Sequence, residues 1–138
     1  YRFDLAAAPY IAKKKTNISI DKIIKRAKVL RRESKCDILL IEGAGGLYTP
    51  ISKDESMADL AKYIADKVLF VTTAKLGTIT ETILGLKAMD RESFSEYSWC
   101  VNNYDEKDNF AQISKPFFDD YFKNYLILPN DLDKLTKE

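Results

Sequence analysis

Apolar positions recur along this chain with two different periods. Ile20, Ile23, Ile24, Ala27 and Leu30 fall on one helical face, and Lys22, Lys25, Arg26, Arg32 and Glu33 fall on the opposite one. That is the spacing of an amphipathic helix. Ser19 is a good N-cap and Asp21 suits the first turn, so a helix is predicted from about Ile20 to Ser34. The next pattern is an unbroken apolar run, Ile38 to Ile41. A run of strand length with no polar alternation predicts a strand buried on both faces. Met57, Leu60, Ala61 and Ile64 return to helical spacing. They predict a helix that ends near Ala65 and is capped by Ser56 or Asp54.

The second half repeats the alternation. Val68 to Val71 is a continuous apolar strand, and Ile79, Ile83, Leu86 and Met89 mark a helix starting near Thr78. Tyr97 to Val101 is the next strand, ended by Asn102 and Asn103. A polar loop, Tyr104 to Asn109, leads to a helix with Pro116 in its first turn. Phe117, Phe118, Tyr121, Phe122 and Tyr125 lie at helical spacing there and read as core. Leu126 to Leu128 is a short strand stopped by Pro129, and Leu132 to Glu138 is a frayed tail or part of a last helix. At the front, Tyr1 to Leu5 alternates as a short strand or an extended entry. Pro9 keeps Ala8 out of the helical region. Lys13 to Lys15 reads as a solvated helix end, and Leu47 to Ile51 as extended. Helices alternating with apolar strands predict an α/β fold, a parallel sheet with helices on both faces. We expect a single domain over residues 1–138.

Composition narrows the classes. The chain has 138 residues, of which 46% are hydrophobic and 31% charged, enough for one α/β domain with a real core. Its net charge of +1 gives no strong field toward nucleic acid or an anionic membrane. No apolar run approaches the length of a membrane span. Cys36 and Cys100 read as reduced core residues, which favours a cytoplasmic setting. Histidine is absent. That excludes a Ser-His-Asp triad, a Cys-His pair and His-bound metal from this chain.

The candidate chemistry lies at the strand ends, which a parallel sheet gathers on one edge. Glu42 follows the first apolar run, and Gly43, Ala44, Gly45 and Gly46 follow Glu42. Glycine allows a sharp turn and close approach to a ligand. A carboxylate is a hard oxygen ligand suited to Mg2+. The turn Gly77-Thr78-Ile79-Thr80 opens a helix, whose free N–H groups suit a carboxylate or phosphate. The plainer reading of that turn is an ordinary N-cap by Thr78. Asn102 offers a donor and an acceptor to a nucleobase edge. Together these features point to a nucleotide-and-metal site.

Ile41-Glu42-Gly43-Ala44-Gly45-Gly46-Leu47, followed by Pro50-Ile51, resembles the signature loop of dethiobiotin synthetases. Ala8-Pro9-Tyr10 resembles that family's Ser-Pro-His segment. Lys75-Leu76-Gly77-Thr78-Ile79-Thr80 resembles its Leu-Gly-x-Ile-Asn turn, and Trp99-Cys100-Val101-Asn102 its strand ending in an adenine-reading Asn. Pro129 falls at its late proline. The resemblance spans nearly the whole chain. It implies a P-loop NTPase-like, Rossmann-like three-layer fold and an ATP- and Mg2+-dependent ligase. Such a ligase closes the ureido ring of dethiobiotin from 7,8-diaminopelargonic acid and CO2, in biotin biosynthesis. On this resemblance Glu42 is the catalytic and metal residue, and Gly43, Ala44, Gly45 and Gly46 line the substrate and phosphates. Gly77, Thr78, Ile79 and Thr80 hold the substrate carboxylate from the partner subunit of a homodimer. Glu42, Gly45, Asn102 and Pro129 contact the nucleotide.

The sequence also departs from that family. No G-x-x-x-x-G-K-[ST] loop occurs, nor does the catalytic lysine that follows it, nor the Asp that would join Glu42 on the metal. An N-terminal part of the fold is therefore expected to be absent from this chain, and the chain alone to be inactive. Tyr10 replaces His, and Thr80 replaces Asn. Two other readings stay open, a related P-loop amidoligase and a non-catalytic dimerisation or binding module that kept the fold.

Overall fold

A computed structural model describes residues 1–94, 96–104 and 107–135; for Lys107 and Asp108 it describes the backbone only. Two compact units divide the chain, Tyr1–Asp66 and Lys67–Glu138.

The first unit is helical. Helices α1 (Pro9–Ala12), α2 (Ile20–Ser34) and α3 (Met57–Ile64) are its regular elements. Helix α2 has the bounds its periodicity predicts, and the Ser19 side chain accepts a hydrogen bond from Lys22 N at 3.3 Å. Ser56 caps α3 in a reciprocal box with Asp59. Ser56 N donates to Asp59 Oδ2 at 2.8 Å, and the Ser56 hydroxyl donates to the same oxygen at 2.7 Å. These bonds, the hydroxyl's foremost, hold the Asp59 carboxyl below its ordinary range. Ile18, Ile20, Ile51 and Leu60 form the buried core, with Phe3, Ile23, Ile24, Met57 and Ile64 packed against it. Each such side chain stabilises by about 1.5–3 kcal/mol when fully buried. Leu30, placed on the inward face by spacing, is 40% exposed.

The run Ile38 to Ile41 departs from expectation. It forms no strand, and Ile38 is 76% exposed, Leu40 90% and Ile41 48%. A parallel strand exists only by bonding its backbone to neighbours. Among the described residues no strand pairs with this run. Tyr1 to Leu5 likewise forms no strand.

The second unit holds the sheet. Strands β1 (Val68–Thr73), β2 (Tyr97–Asn102) and β3 (Leu126–Leu128) pair in parallel in the order β1-β2-β3. The register sets Thr72 beside Val101 and Thr73 beside Asn102, and Asn102 beside Leu128. Helices α4 (Thr78–Arg91), α5 (Lys107–Ile113), α6 (Lys115–Tyr121) and α7 (Leu132–Leu135) complete the unit. Helix α5 begins inside the stretch expected to be a polar loop. Its Phe110 is buried with Ala74, Val101 and Phe118, and Trp99, Phe117, Phe122, Tyr125 and Ile127 pack around them. The aromatics predicted as core are core: Trp99 stacks on Tyr125 at 5.6 Å and meets Phe122 edge-on at 4.8 Å. Burial pushes the Cys100 thiol up to about 11, which suits an inert, reduced core cysteine.

Candidate functional site

In the first unit, the glycine loop is fixed by the helix that follows it. Met57 N donates to Thr49 O at 3.0 Å, and Ala58 N donates to Leu47 O at 2.8 Å. The first amides of α3, which lack partners inside the helix, are thus spent on shaping this loop. Gly45 has φ +75°, and an added Cβ would lie 3.3 Å from Thr49 Cβ and Cγ2 and closer still to Oγ1. Both facts require glycine there. Gly46 has open space at its Cα, and Gly43 faces only Met57 Sδ at 3.9 Å. Gly43, Ala44, Gly45 and Gly46 are all exposed, so their backbone is open to a ligand. The Ala8-Pro9-Tyr10 segment comes to the same place, because Tyr10 N donates to Pro50 O at 3.1 Å.

Glu42 opens this loop with an exposed side chain. Among the described residues, no group of three or more acidic, Cys or His side chains could enclose a metal ion. A lone carboxylate still fits Mg2+, which keeps several waters and takes one or two carboxylates alongside substrate phosphates. The donor set therefore fits part of a Mg2+ shell and no closed cage.

In the second unit, three parallel strands bring their carboxyl ends to one edge. The loop after β1 carries Gly77 to Thr80. Gly77 caps α4 at φ +97° with no side-chain cap, so the N-cap is Gly77 and the Thr78 hydroxyl is employed elsewhere. It donates to the carbonyl of Thr73. The Thr78 amide donates to Lys75 O at 3.0 Å, and Glu81 N to Gly77 O at 3.1 Å. Among the described residues, the amides of Ile79 and Thr80 are the first-turn donors without a backbone partner. Lys75 and Thr80 are exposed, Ile79 is half-buried, and the Thr78 side chain is wholly buried.

The ends of β2 and β3 adjoin. Asn102 is exposed, and its Oδ1 accepts from Tyr104 N at 3.2 Å. Asn103 N donates to Leu128 O at 3.0 Å, which places Asn103 against the residue before Pro129. Pro129 is half-buried. Behind it Asp131 Oδ2 accepts from Ile127 N at 2.9 Å and pairs with Lys134. Lys134 foremost, then that amide, holds the Asp131 carboxyl below its usual range.

The sequence places Asn103 with Asn102 at the end of β2 without singling it out. Its side chain is 8% exposed, and among the described residues its Oδ1 has no hydrogen-bond partner. A buried acceptor without a donor costs free energy. The available signal was strand alternation, which turns Asn102 and Asn103 to opposite sides.

A model of the AAA domain family matches residues 1–117. The chain is 39% identical over 137 residues to a protein of Sulfurovum sp. (strain NBC37-1) named ATP-dependent dethiobiotin synthetase, covering 99% of this chain and 64% of that one. A Wolinella succinogenes protein of the same name is 34% identical over 139 residues, covering 99% of this chain and 63% of its own length. One from Tolumonas auensis is 30% identical over 114 residues, with 81% and 50% covered. The chain thus spans less than two thirds of the length of these curated relatives.

Proposed function

The chain belongs to the AAA domain family, and from that premise we propose that it is part of an ATP-dependent dethiobiotin synthetase acting in biotin biosynthesis. The observation that carries this reading is the shared edge of the parallel sheet. It presents strand ends that carry Asn102, Asn103 and Pro129, and it also offers, among the described residues, two open helix amides at Ile79 and Thr80 suited to an anion. The relatives' name supplies the reaction.

One amine of 7,8-diaminopelargonic acid takes up CO2 as a carbamate. The γ-phosphoryl group of ATP passes to the carbamate oxygen, leaving ADP. The second amine attacks that carbon, closes the ureido ring and expels phosphate. Little covalent chemistry falls to the protein in such a sequence; its share is positioning and charge neutralisation. The Ile79 and Thr80 amides, with Lys75 nearby, hold the substrate's carboxylate. In a homodimer, the partner subunit supplies that turn. Gly43, Ala44, Gly45 and Gly46 let backbone approach the substrate and phosphates, and Gly45 keeps the loop's bend. Asn103 reads the adenine edge with Pro129 beside the ring, and the exposed Asn102 contacts the nucleotide from the other side of the strand end. Glu42 would hold Mg2+, whose charge would offset that of the phosphates. We place the enzyme in the cytoplasm, with no membrane or nucleic-acid partner. No helix among the described residues is long and apolar enough to cross a membrane.

The test uses the complete protein with ATP, Mg2+, bicarbonate and diaminopelargonic acid. Formation of dethiobiotin with one phosphate released per ring supports the reading; phosphate release that ignores the diamine ends it. Asn103 adds a sharper expectation. Asn103→Leu removes the unpartnered acceptor, so the melting temperature should hold or rise. The same change should weaken ATP binding by roughly tenfold, the worth of a bond of about 1.4 kcal/mol. Calorimetric titration with ATP and thermal melting read the two effects separately. Lost stability with unchanged ATP affinity would make Asn103 a structural residue.

A further inference from the structure

Three hydroxyl groups are buried together where β1 hands over to α4. Thr72 is 5% exposed, and Thr78 and Thr82 are 0% exposed. Thr72 Oγ1 lies 2.7 Å from Thr82 Oγ1, and Thr78 Oγ1 lies 3.4 Å from Thr82 Oγ1 and 3.5 Å from Thr72 Oγ1. Thr78 gives its proton to the Thr73 carbonyl. Thr72 and Thr82 share one short bond, and Thr78 Oγ1 lies within 3.5 Å of both. The Thr78 hydroxyl ties this group to the backbone of β1. Hydrogen bonds linked in this way polarise and strengthen one another in a buried setting.

A tie of this kind exceeds what helix packing needs. Apolar residues in those places would bury at lower cost, since hydroxyls require partners. The three hydroxyls add direction: they fix the first turn of α4 along and about its axis relative to the strand. The amides of Ile79 and Thr80 belong to that turn. Gly77, at φ +97° with only Glu81 Oε1 at 4.0 Å from an added Cβ, gives the turn freedom that the threonines then remove.

We propose that Thr72, Thr78 and Thr82 are positioning residues that aim the amides of Ile79 and Thr80 at the carboxylate of the substrate. The inference rests on the function proposed above and adds the device that sets the carboxylate's place. Thr82 touches no ligand; it acts through the turn.

The experiment is steady-state kinetics of the complete protein with diaminopelargonic acid and with its methyl ester, which lacks the carboxylate. Thr82→Val keeps the shape and removes the hydroxyl. It should raise KM for the acid roughly tenfold while kcat and the KM for ATP stay within about twofold, the pattern of lost ground-state binding. The KM for the ester should not move. Thr82→Ser restores a hydroxyl and should return the acid's KM to the starting value. Equal rises for acid and ester, no rise at all, or no rescue by serine would overturn the proposal. Should Thr82→Val not fold, Thr72→Val asks the same question from the strand, where a β-branched apolar residue is at home. Its KM for the acid must then rise alone, or the proposal fails. A wild-type protein that makes no dethiobiotin ends the underlying function; one that does, with both valine variants at the starting KM, ends this inference only.

Discussion

Glu42→Gln in the complete protein is expected to cut Mg2+-dependent turnover by roughly a hundredfold or more while the fold stays intact. The side chain is exposed and belongs to neither buried cluster, so no packing is at stake. The amide is nearly isosteric but carries no charge, and a hard cation prefers an anionic oxygen. If the carboxylate's share of the transition-state charge stabilisation is about 3 kcal/mol, the rate falls about a hundredfold. The check is kcat across a Mg2+ titration at saturating ATP, with thermal melting as control. Ordinary turnover at limiting Mg2+ would remove Glu42 from the metal.

The second large effect concerns stability. Gly85→Ala, in the interior of α4, is expected to lower stability by about 1–2 kcal/mol despite the better helix propensity of alanine. Propensity alone favours the change by about 1 kcal/mol. Against it stands Phe70: a Cβ at Gly85 would lie 2.9 Å from Phe70 Cε1 and Cε2 and would overlap Cζ. All three atoms belong to a rigid ring, which has no flexible end to swing aside. Overpacking of this sort costs typically about 1–3 kcal/mol, and a ring that cannot yield puts this case in the upper part of that range. Thermal or urea unfolding reads the difference. Phe70→Leu in the same chain should recover part of the loss by clearing the overlap. A Gly85→Ala protein that melts at or above the parent temperature would show that the helix can lift from the strand without penalty.

The elements read correctly from the sequence are those with local signals. Helix α2 announces itself by its cap, its first-turn acid and a long apolar stripe. The three strands of the sheet are short apolar runs with turn residues behind them. The Ile38–Ile41 run forms no strand despite its pattern, because apolar content asks for burial without naming what supplies it. Helix α5 was missed because Phe110 is its one wholly buried described side chain, between polar neighbours, too little for a period. At the candidate site the glycines, Glu42 and Asn102 were legible as residue types out of place in a plain loop. Gly77's left-handed backbone was not legible, since glycine takes either sign of φ. The threonine triad was hidden because hydropathy counts threonine as neutral. Only the fold brings Thr72 to the helical pair Thr78 and Thr82.

The bare Ile38–Ile41 segment has a consequence for handling the protein. A short aliphatic stretch without proline, exposed and unpaired among the described residues, is a template for strands from other molecules and thus an aggregation hazard. Its guards are the charges at its two ends, Asp37 and Glu42. Such flanking charges are the gatekeepers that keep sticky strands apart. Glu42 therefore guards solubility, apart from the cation role proposed for it above. A glutamine there neutralises half of the guard, so the soluble, monodisperse fraction of that variant belongs beside its turnover number.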